Sequence, residues 1–579
     1  MISFSDLRNL QLGGTKDAVA LSAVIGGGML TLPPLLGAGP VGILSASVIA
    51  ALGGGWFGKR IGEVLRIDAF EGGEEGLKIN SSQLPPVDPD GFVHLGYVAD
   101  TGEALKIPIG EWMRHAMIVG QSGVGKTVLG EWVMFQQIAA GGGLMWIDGK
   151  LDPGNLEKLR QMLAWCGRED DLLVVNPGDP SMSNTYNPLL DGDPDEIAAR
   201  CISLIPTAES NAGADYFRQS ATIAINTLVA AVQATGNAFN FADLRVLLTS
   251  SKALAWLENE LVVMGKDKEA AALSLFLDQF KQFDRATGQS KVSVDNLRKM
   301  FGGLGSRLAQ FGSGQFGQVM NSYDPDVRIK DAVMQGKIVY FMLPTMGKSE
   351  AATALAKLAV ADFRSAIAFI QSLPEDQRPK RPYLGFYDEA GSYVTEAWSR
   401  MFEQSRSARL VMMPAFQTRA NLEVLGEELR AMVAGNTLTK IFFKPGEPDT
   451  AEWMADMIGK EMQTQYSVSA STSDSQKEST VNERLAKGAT DGATKNNNIG
   501  YSESLKEDYK IPAHDLMKLG KGECIVTFDG AKVYNVRTPR ITFSKDFLNS
   551  IGPFHLNRPR RRFARGLKLF ERSDEFLAA

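Results

Sequence analysis

The chain has 579 residues, 44% of them apolar, and a formal net charge of −6, which excludes a disordered polyelectrolyte and leaves room for two or three packed domains. The acidic balance also excludes a protein that coats nucleic acid over its whole surface, so any polyanion contact is confined to a patch or a lumen. Three cysteines (Cys166, Cys201, Cys524) without CxxC spacing and four scattered histidines argue against a disulfide framework and against a zinc or His-based metal site.

In chain order, the first feature is an apolar stretch. No charged residue lies between Asp17 and Lys59, a gap of about forty positions where one spanning helix needs about twenty. Leu32-Pro33-Pro34-Leu35 and Gly37-Ala38-Gly39-Pro40 break it, so residues 1–60 are expected to hold a hairpin of two transmembrane helices, near 18–34 and 40–57. Arg8 and Lys16 precede the hairpin and Lys59, Arg60 and Arg66 follow it, which by the positive-inside rule puts both ends in the cytoplasm. A cleaved signal peptide, whose apolar core is shorter, and a buried soluble hairpin are the alternatives.

After the polar linker Ser81-Ser82-Gln83-Leu84-Pro85-Pro86, short apolar runs alternate with helical stretches, the pattern of an α/β doubly wound parallel sheet. Strands are expected at 115–119, 144–147 and 172–175, with a helix over 127–139, in a first nucleotide-binding segment spanning 61–190. Residues 191–335 carry few strand candidates and helical spacing at Phe217, Ala221 and Leu228 and again at Leu273, Phe276, Leu277, Phe280 and Phe283, predicting an inserted all-α domain. Strands resume at 337–342, 383–387, 410–413 and 439–443, so the nucleotide domain is discontinuous, with its second part at 336–545. Within it, 464–506 is poor in large apolar residues and is expected to be a mobile polar loop. Strands at 523–528 and 532–536 flank Asp529-Gly530, a hairpin signal. Residues 546–579 form a basic tail, with Arg558, Arg560, Arg561, Arg562, Arg565 and Lys568, suited equally to a solvated end near anionic lipid and to nucleic acid.

The chemistry lies in two boxes. Gly120-Gln121-Ser122-Gly123-Val124-Gly125-Lys126-Thr127 matches G-x-x-x-x-G-K-[ST] between a strand and a helix. Its glycines let backbone N–H groups surround a β-phosphate of ATP, Lys126 supplies a charge between β- and γ-phosphates, and Thr127 offers a hydroxyl to Mg2+. Tyr383-Leu-Gly-Phe-Tyr387 then ends in Asp388-Glu389. Asp388 is the expected Mg2+ carboxylate and Glu389 the expected base for the attacking water, the two pointing apart as neighbours on an extended strand end do. Gln417 is a candidate γ-phosphate sensor and Arg406 a candidate arginine finger, with Arg409 its competitor and a surface salt-bridging segment the plain alternative.

These boxes, together with Ile147-Asp148-Gly149-Lys150-Leu151-Asp152, Ser183-Asn184-Thr185-Tyr186-Asn187-Pro188, Gln404-Ser405-Arg406 and Gly435-Asn436-Thr437-Leu438-Thr439-Lys440-Ile441, resemble the coupling proteins of conjugation and type IV secretion systems over about 110–460 and, more weakly, 507–540. The resemblance implies a RecA-like P-loop ATPase with an all-helical insertion and a membrane hairpin. It further implies a homo-hexamer, an arginine finger acting across the subunit boundary, and delivery of relaxase-bound single-stranded DNA or effector protein to channel components. The short link between the two expected spans departs from many members and leaves little chain for periplasmic channel contact. Gly149, where many relatives have proline, departs too and is expected to alter only a turn. The alternatives are a double-stranded DNA translocase of chromosome segregation, which usually has more spans and a winged-helix reader, a protein-only or channel-assembly secretion ATPase, and a scaffold with a relic P-loop.

Overall fold

Runs such as Ala-Met-Ile-Val and Leu-Met-Trp-Ile have no polar face, so they are stable only where both sides of a strand are covered. In the computed structural model they are covered by helices on a parallel sheet. It describes residues 77–80, 91–205, 212–284, 289–395, 397–423, 426–474, 495–528 and 532–558. The membrane hairpin expected at 18–57 and nearly all of the basic cluster lie outside the described residues. Among those described, no helix is long and apolar enough to cross a membrane.

The strands in chain order are β1 (Leu77–Asn80), β2 (Phe92–Val98), β3 (Ala104–Pro108), β4 (Ala116–Val119), β5 (Leu144–Asp148), β6 (Leu172–Val175), β7 (Lys281–Asp284), β8 (Gln289–Val292), β9 (Ile338–Met342), β10 (Tyr383–Tyr387), β11 (Leu410–Phe416), β12 (Thr439–Phe443), β13 (Lys460–Asp474), β14 (Lys495–Tyr509), β15 (Glu523–Phe528), β16 (Lys532–Arg537) and β17 (Pro539–Thr542). An 11-stranded sheet has the order β3-β2-β16-β15-β12-β4-β11-β10-β5-β9-β6. Neighbours from β12 to β6 are parallel, whereas β15, β16, β2 and β3 extend the sheet antiparallel. Every residue of β4, β5, β6, β9, β10 and β11 is buried, which accounts for their unbroken apolar sequences. β11 stands between β4 and β10, so the strand leaving for the phosphate loop and the strand carrying the carboxylates are separated by one strand.

Residues 446–518 form a compact unit of their own and the rest of the described chain forms the other. In the smaller unit the helix Pro448–Ile458 is followed by β13, paired antiparallel with β14 from Lys460↔Tyr509 to Asp474↔Lys495. Over 464–474 and 495–506 this corrects the mobile loop expected there. A backbone ladder satisfies its own N–H and C=O groups without needing a core, and Tyr, Val and Thr favour the extended chain, so low apolar content alone does not exclude strands. Residues 475–494 lie outside the described ones.

The segment 191–335 packs with the sheet in the larger unit. Two of its helices start on capping boxes: Asp193 accepts from the Glu196 N–H and Asn240 from the Asp243 N–H, each with the reciprocal bond. Phe276, Phe280 and Phe301 cluster with ring centroids 5.4 to 6.2 Å apart. The segment is not wholly helical, since β7 and β8 form a small antiparallel pair. Phe283, read as part of a helical stripe, lies on β7 and is exposed, as is Phe217. A buried ion pair ties this segment to the helix Ser349–Ser372, with Arg200 Nη1 3.3 Å from Asp362 Oδ1, while Tyr186, just before the segment, donates from its Oη to Asp362 Oδ2 at 2.9 Å. The tail expected from 546 begins as packed structure. Phe547 meets Trp165 edge-on at 5.0 Å, and the Asn557 carbonyl accepts from Asn184 Nδ2 at 2.6 Å, so apolar residues on this stretch hold it against the fold before the basic cluster begins.

His115 closes the N-terminal end of β4. It is buried and takes a left-handed φ of +67°. Its Nδ1 accepts the Met412 N–H at 3.3 Å and its Nε2 lies 3.0 Å from the Phe402 carbonyl, which fixes the neutral tautomer with hydrogen on Nε2. Burial lowers its pKa to about 4, with the nearby Arg406 charge a lesser contribution in the same direction. Between the unfolded value of about 6.5 and 4, the unfolded chain binds a proton that the fold refuses, so stability falls as pH falls through that window. In denaturant titrations, the advantage of the parent over His115→Gln should shrink by up to about 3 kcal/mol between pH 7 and pH 4. A gap independent of pH would contradict the buried neutral imidazole.

Candidate functional site

The loop Gly120–Thr127 leaves the C-terminal end of β4 and enters the helix Lys126–Ala139. Gly123 and Gly125 have φ of +79° and +118°, values that a Cβ penalises and that a phosphate-cupping turn requires. Three bonds brace the loop. The Gly120 N–H donates to the Phe416 carbonyl at 3.1 Å, the Gln121 N–H to Lys444 at 2.9 Å, and the Gly522 N–H to Val124 at 2.8 Å. The helix start supplies N–H groups without intrahelical acceptors and the positive end of its dipole. Lys126 Nζ donates to the carbonyls of Gly120 at 2.6 Å and Gln121 at 2.8 Å, so the ammonium is held at the mouth of the loop. Burial lowers its pKa, and the Asp388 charge opposes this.

Across β11, β10 delivers the carboxylates. Thr127 Oγ1 donates to Asp388 Oδ2 at 2.8 Å although the two residues are 261 positions apart. Asp388 is 2% exposed. Burial raises its pKa, opposed by the Thr127 hydrogen bond and by the Lys150 and Lys126 charges. A hydroxyl and a carboxylate meeting at one point are the hard oxygen donors that Mg2+ takes from a protein when phosphates and water supply the rest. The residues therefore fit the ion.

Glu389 departs from the extended geometry expected of it. The strand ends at Tyr387, and Glu389 adopts φ +53°, ψ +39°, so a turn rather than the pleat separates the two acids. A left-handed glutamate is strained, and such residues gather at functional sites. Its Oε1 receives two partners: Lys150 Nζ at 2.7 Å and Gln417 Nε2 at 3.3 Å. Gln417 follows β11, and its own N–H donates to Asn421 Oδ1 at 3.1 Å, so the interposed strand brings Gln417 to the carboxylate. Beside them Asp148 ends β5. It accepts from Tyr340 Oη and Asn155 Nδ2, each at 2.8 Å, and from the Lys150 N–H at 2.9 Å. Burial pushes its pKa up to about 6.

Arg406 is not brought to this site. It lies in the turn Ser405–Ala408 at the opening of β11, whereas the loop meets the far end of that strand through Phe416. Seven residues of strand place it about 20 Å from its own phosphate loop, beyond the reach of an arginine side chain. Its side chain is exposed, and its backbone carbonyl accepts the Arg409 N–H at 3.0 Å. Its competitor Arg409 is engaged, with Nη2 3.3 Å from Glu375 Oε1 and Nη1 3.4 Å from the Pro379 carbonyl. Lys150 and Asp148 were given no role from sequence. The available signal was an apolar run ending in an acid, the same form as β10.

The chain resembles known proteins over much of its length. A family model described as the TraM recognition site of TraD and TraG matches residues 382–518. The type 4 coupling protein DotL of Legionella pneumophila is 24% identical over 412 residues, covering 63% of this chain; the chain spans about half, 51%, of that protein's length. Among solved structures, the bacterial conjugative coupling protein TrwBdeltaN70 in its unbound form has a TM-score of 0.51 at 15% identity, covering 85% of this chain and 96% of that one. The plasmid coupling protein TrwB bound to a non-hydrolysable ATP analogue has a TM-score of 0.54 at 16% identity, covering 83% and 96%. TrwB in complex with ADP and Mg2+ has a TM-score of 0.52 at 16% identity, covering 81% and 94%.

The Thr127–Asp388 bond can be tested without any ligand. Thr127→Val leaves a buried carboxylate short of a donor and should cost about 1–2 kcal/mol in denaturant unfolding, while Thr127→Ser keeps most of the stability. Equal loss in the two variants would show that the hydroxyl contributes nothing.

Proposed function

For a chain that stands among the type IV coupling proteins, we propose that it hydrolyses ATP and uses the cycle to bring relaxase-bound single-stranded DNA or effector protein to a type IV secretion channel. The observation that carries the reading is the meeting of Thr127 and Asp388 at 2.8 Å, with Glu389 beside them under Lys150 and Gln417. The loop amides and Lys126 bind the β- and γ-phosphates; Thr127 and Asp388 hold Mg2+, which when bound offsets phosphate charge. Glu389 orients a water and takes its proton as the water oxygen bonds to the γ-phosphorus and the bond to the departing ADP breaks. Gln417, bonded to Glu389 and following the interposed strand, reports the presence of the γ-phosphate.

Arg406 serves a neighbour in this proposal, since its own loop is out of reach, and a closed ring of copies, six by family resemblance, supplies that neighbour. The matched range 382–518 is the region to which we assign relaxosome contact, given the family model's description. The apolar hairpin at 18–57 anchors the ring to the inner membrane, with the ATPase in the cytoplasm, and channel components receive the cargo.

Glu389→Gln should bind ATP as the parent does and lose hydrolysis by about 10²–10⁴-fold. In the parent, single-stranded DNA should raise turnover, with an effect that fades steeply between 50 and 200 mM salt. DNA-indifferent turnover would remove the nucleic-acid cargo, and a fully active Glu389→Gln would remove the site assignment. Mixing the inactive variants Lys126→Ala and Arg406→Ala should restore about a quarter of the parent rate, because random pairing joins an intact loop to an intact finger in that share of interfaces. No recovery on mixing would defeat the finger.

A further inference from the structure

β5 and β10 leave the sheet side by side: Ile147 pairs with Tyr387 and the Asp388 N–H donates to the Ile147 carbonyl at 2.9 Å. The turn Asp148-Gly149-Lys150 therefore emerges against Asp388-Glu389. A Cβ on Gly149 would stand 3.2 Å from the Glu389 Cβ and 3.4 Å from its Oε2, so residue 149 does more than shape a turn: its lack of a side chain is what lets the carboxylate lie there. The turn is fixed from both flanks. Asp148 is gripped by Tyr340 and Asn155, and Thr345 Oγ1 donates to the Gly149 carbonyl at 2.5 Å. A rigid turn thus presents a flexible lysine to the carboxylate proposed to activate water.

The pair itself is weak. Lys150 and Glu389 side chains are 50% and 24% exposed, and an ion pair so solvated changes a folding equilibrium by a factor of about five or less. As a strut it achieves little, yet the ammonium sits on the oxygen that Gln417 also contacts, and its charge acts on Lys126 and Asp388 as well. A terminal phosphate carries more negative charge than a carboxylate and is a strong acceptor for a lysine point charge. Within the triphosphate site, Lys150 has two competing anions to choose from.

We propose that Lys150 is a positioning residue that changes partner with the nucleotide: it holds the Glu389 carboxylate when a diphosphate is bound and moves to the γ-phosphate when a triphosphate is bound. The exchange frees Glu389 Oε1 for the water only when there is a phosphate to attack, and Gln417 keeps the carboxylate aimed meanwhile. The inference rests on reading Glu389 as the water-activating acid.

The test compares the full-length parent, Lys150→Met and Lys150→Arg for binding of ADP and of a non-hydrolysable ATP analogue, and for ATP turnover. Lys150→Met should bind ADP within about twofold of the parent, bind the ATP analogue about tenfold more weakly, and lose turnover at least tenfold, with Lys150→Arg recovering part of both losses. Its unfolding midpoint should not move. An unchanged preference for the ATP analogue over ADP overturns the proposal, whether turnover falls or not, because the lysine then never leaves Glu389. A parent that shows the lysine-dependent preference but hydrolyses nothing overturns instead the ATPase reading and leaves the phosphate contact standing.

Discussion

The hydrogen bond from Thr127 to Asp388 is short because three parallel strands hold their C-terminal ends level. β4 carries the loop, β10 carries the acids, and β11 lies between them with Ala415 opposite Ile118 and Met413 opposite Phe386. Slipping any of these strands by one residue moves its end by about 3.3 Å and turns its side chains to the other face, and the bond is lost. The continuous apolar sequences of these strands are what secure their register, since each side chain has a buried place on one face or the other. The site is thus a product of sheet packing more than of local loop structure.

Much of this could be read from sequence because burial on two faces leaves a plain mark. The strands at 383–387, 439–443 and 523–528 appear with the boundaries expected of them, and the Thr127 hydroxyl at the end of the loop reaches Asp388. Strands that do not rely on a two-sided core left no such mark. β7, Lys-Gln-Phe-Asp, and β13 and β14 are polar ladders held by backbone bonds, and β2 and β3 are antiparallel additions at the sheet edge. At the site, the role of Lys150 is not legible in sequence because its partner is set by which strands are neighbours, and no spacing within either segment encodes that β5 lies beside β10. The same holds for Arg406 and Arg409, which sequence left level: only the ion pair of Arg409 with Glu375 separates them.

Charge within the site is arranged in opposition. Asp148 and Asp388 lie in adjacent strand ends where burial disfavours their ionised forms, while Lys126 and Lys150 favour that of Asp388 and Thr127 donates to it. Each acid is tied to neutral donors as well as cations, so the cluster does not depend on bare ion pairs that water would screen. Only the Lys150–Glu389 contact is substantially solvated, which makes it the element of the cluster most readily rearranged.

The strand order has a further consequence for how the protein comes to be made. β5 and β6 are not neighbours, since β9 lies between them, and β4 is kept from β5 by β10 and β11. β4, β5 and β6 each emerge from the ribosome before the strands that flank them exist. At about 5–20 residues per second, the 261 positions from Thr127 to Asp388 take roughly 13–50 s to synthesise. Throughout that interval the nascent chain carries open, apolar strand edges, so an N-terminal fragment containing the whole phosphate loop has no sheet to complete, and protection by a chaperone is most needed before the second half of the chain arrives.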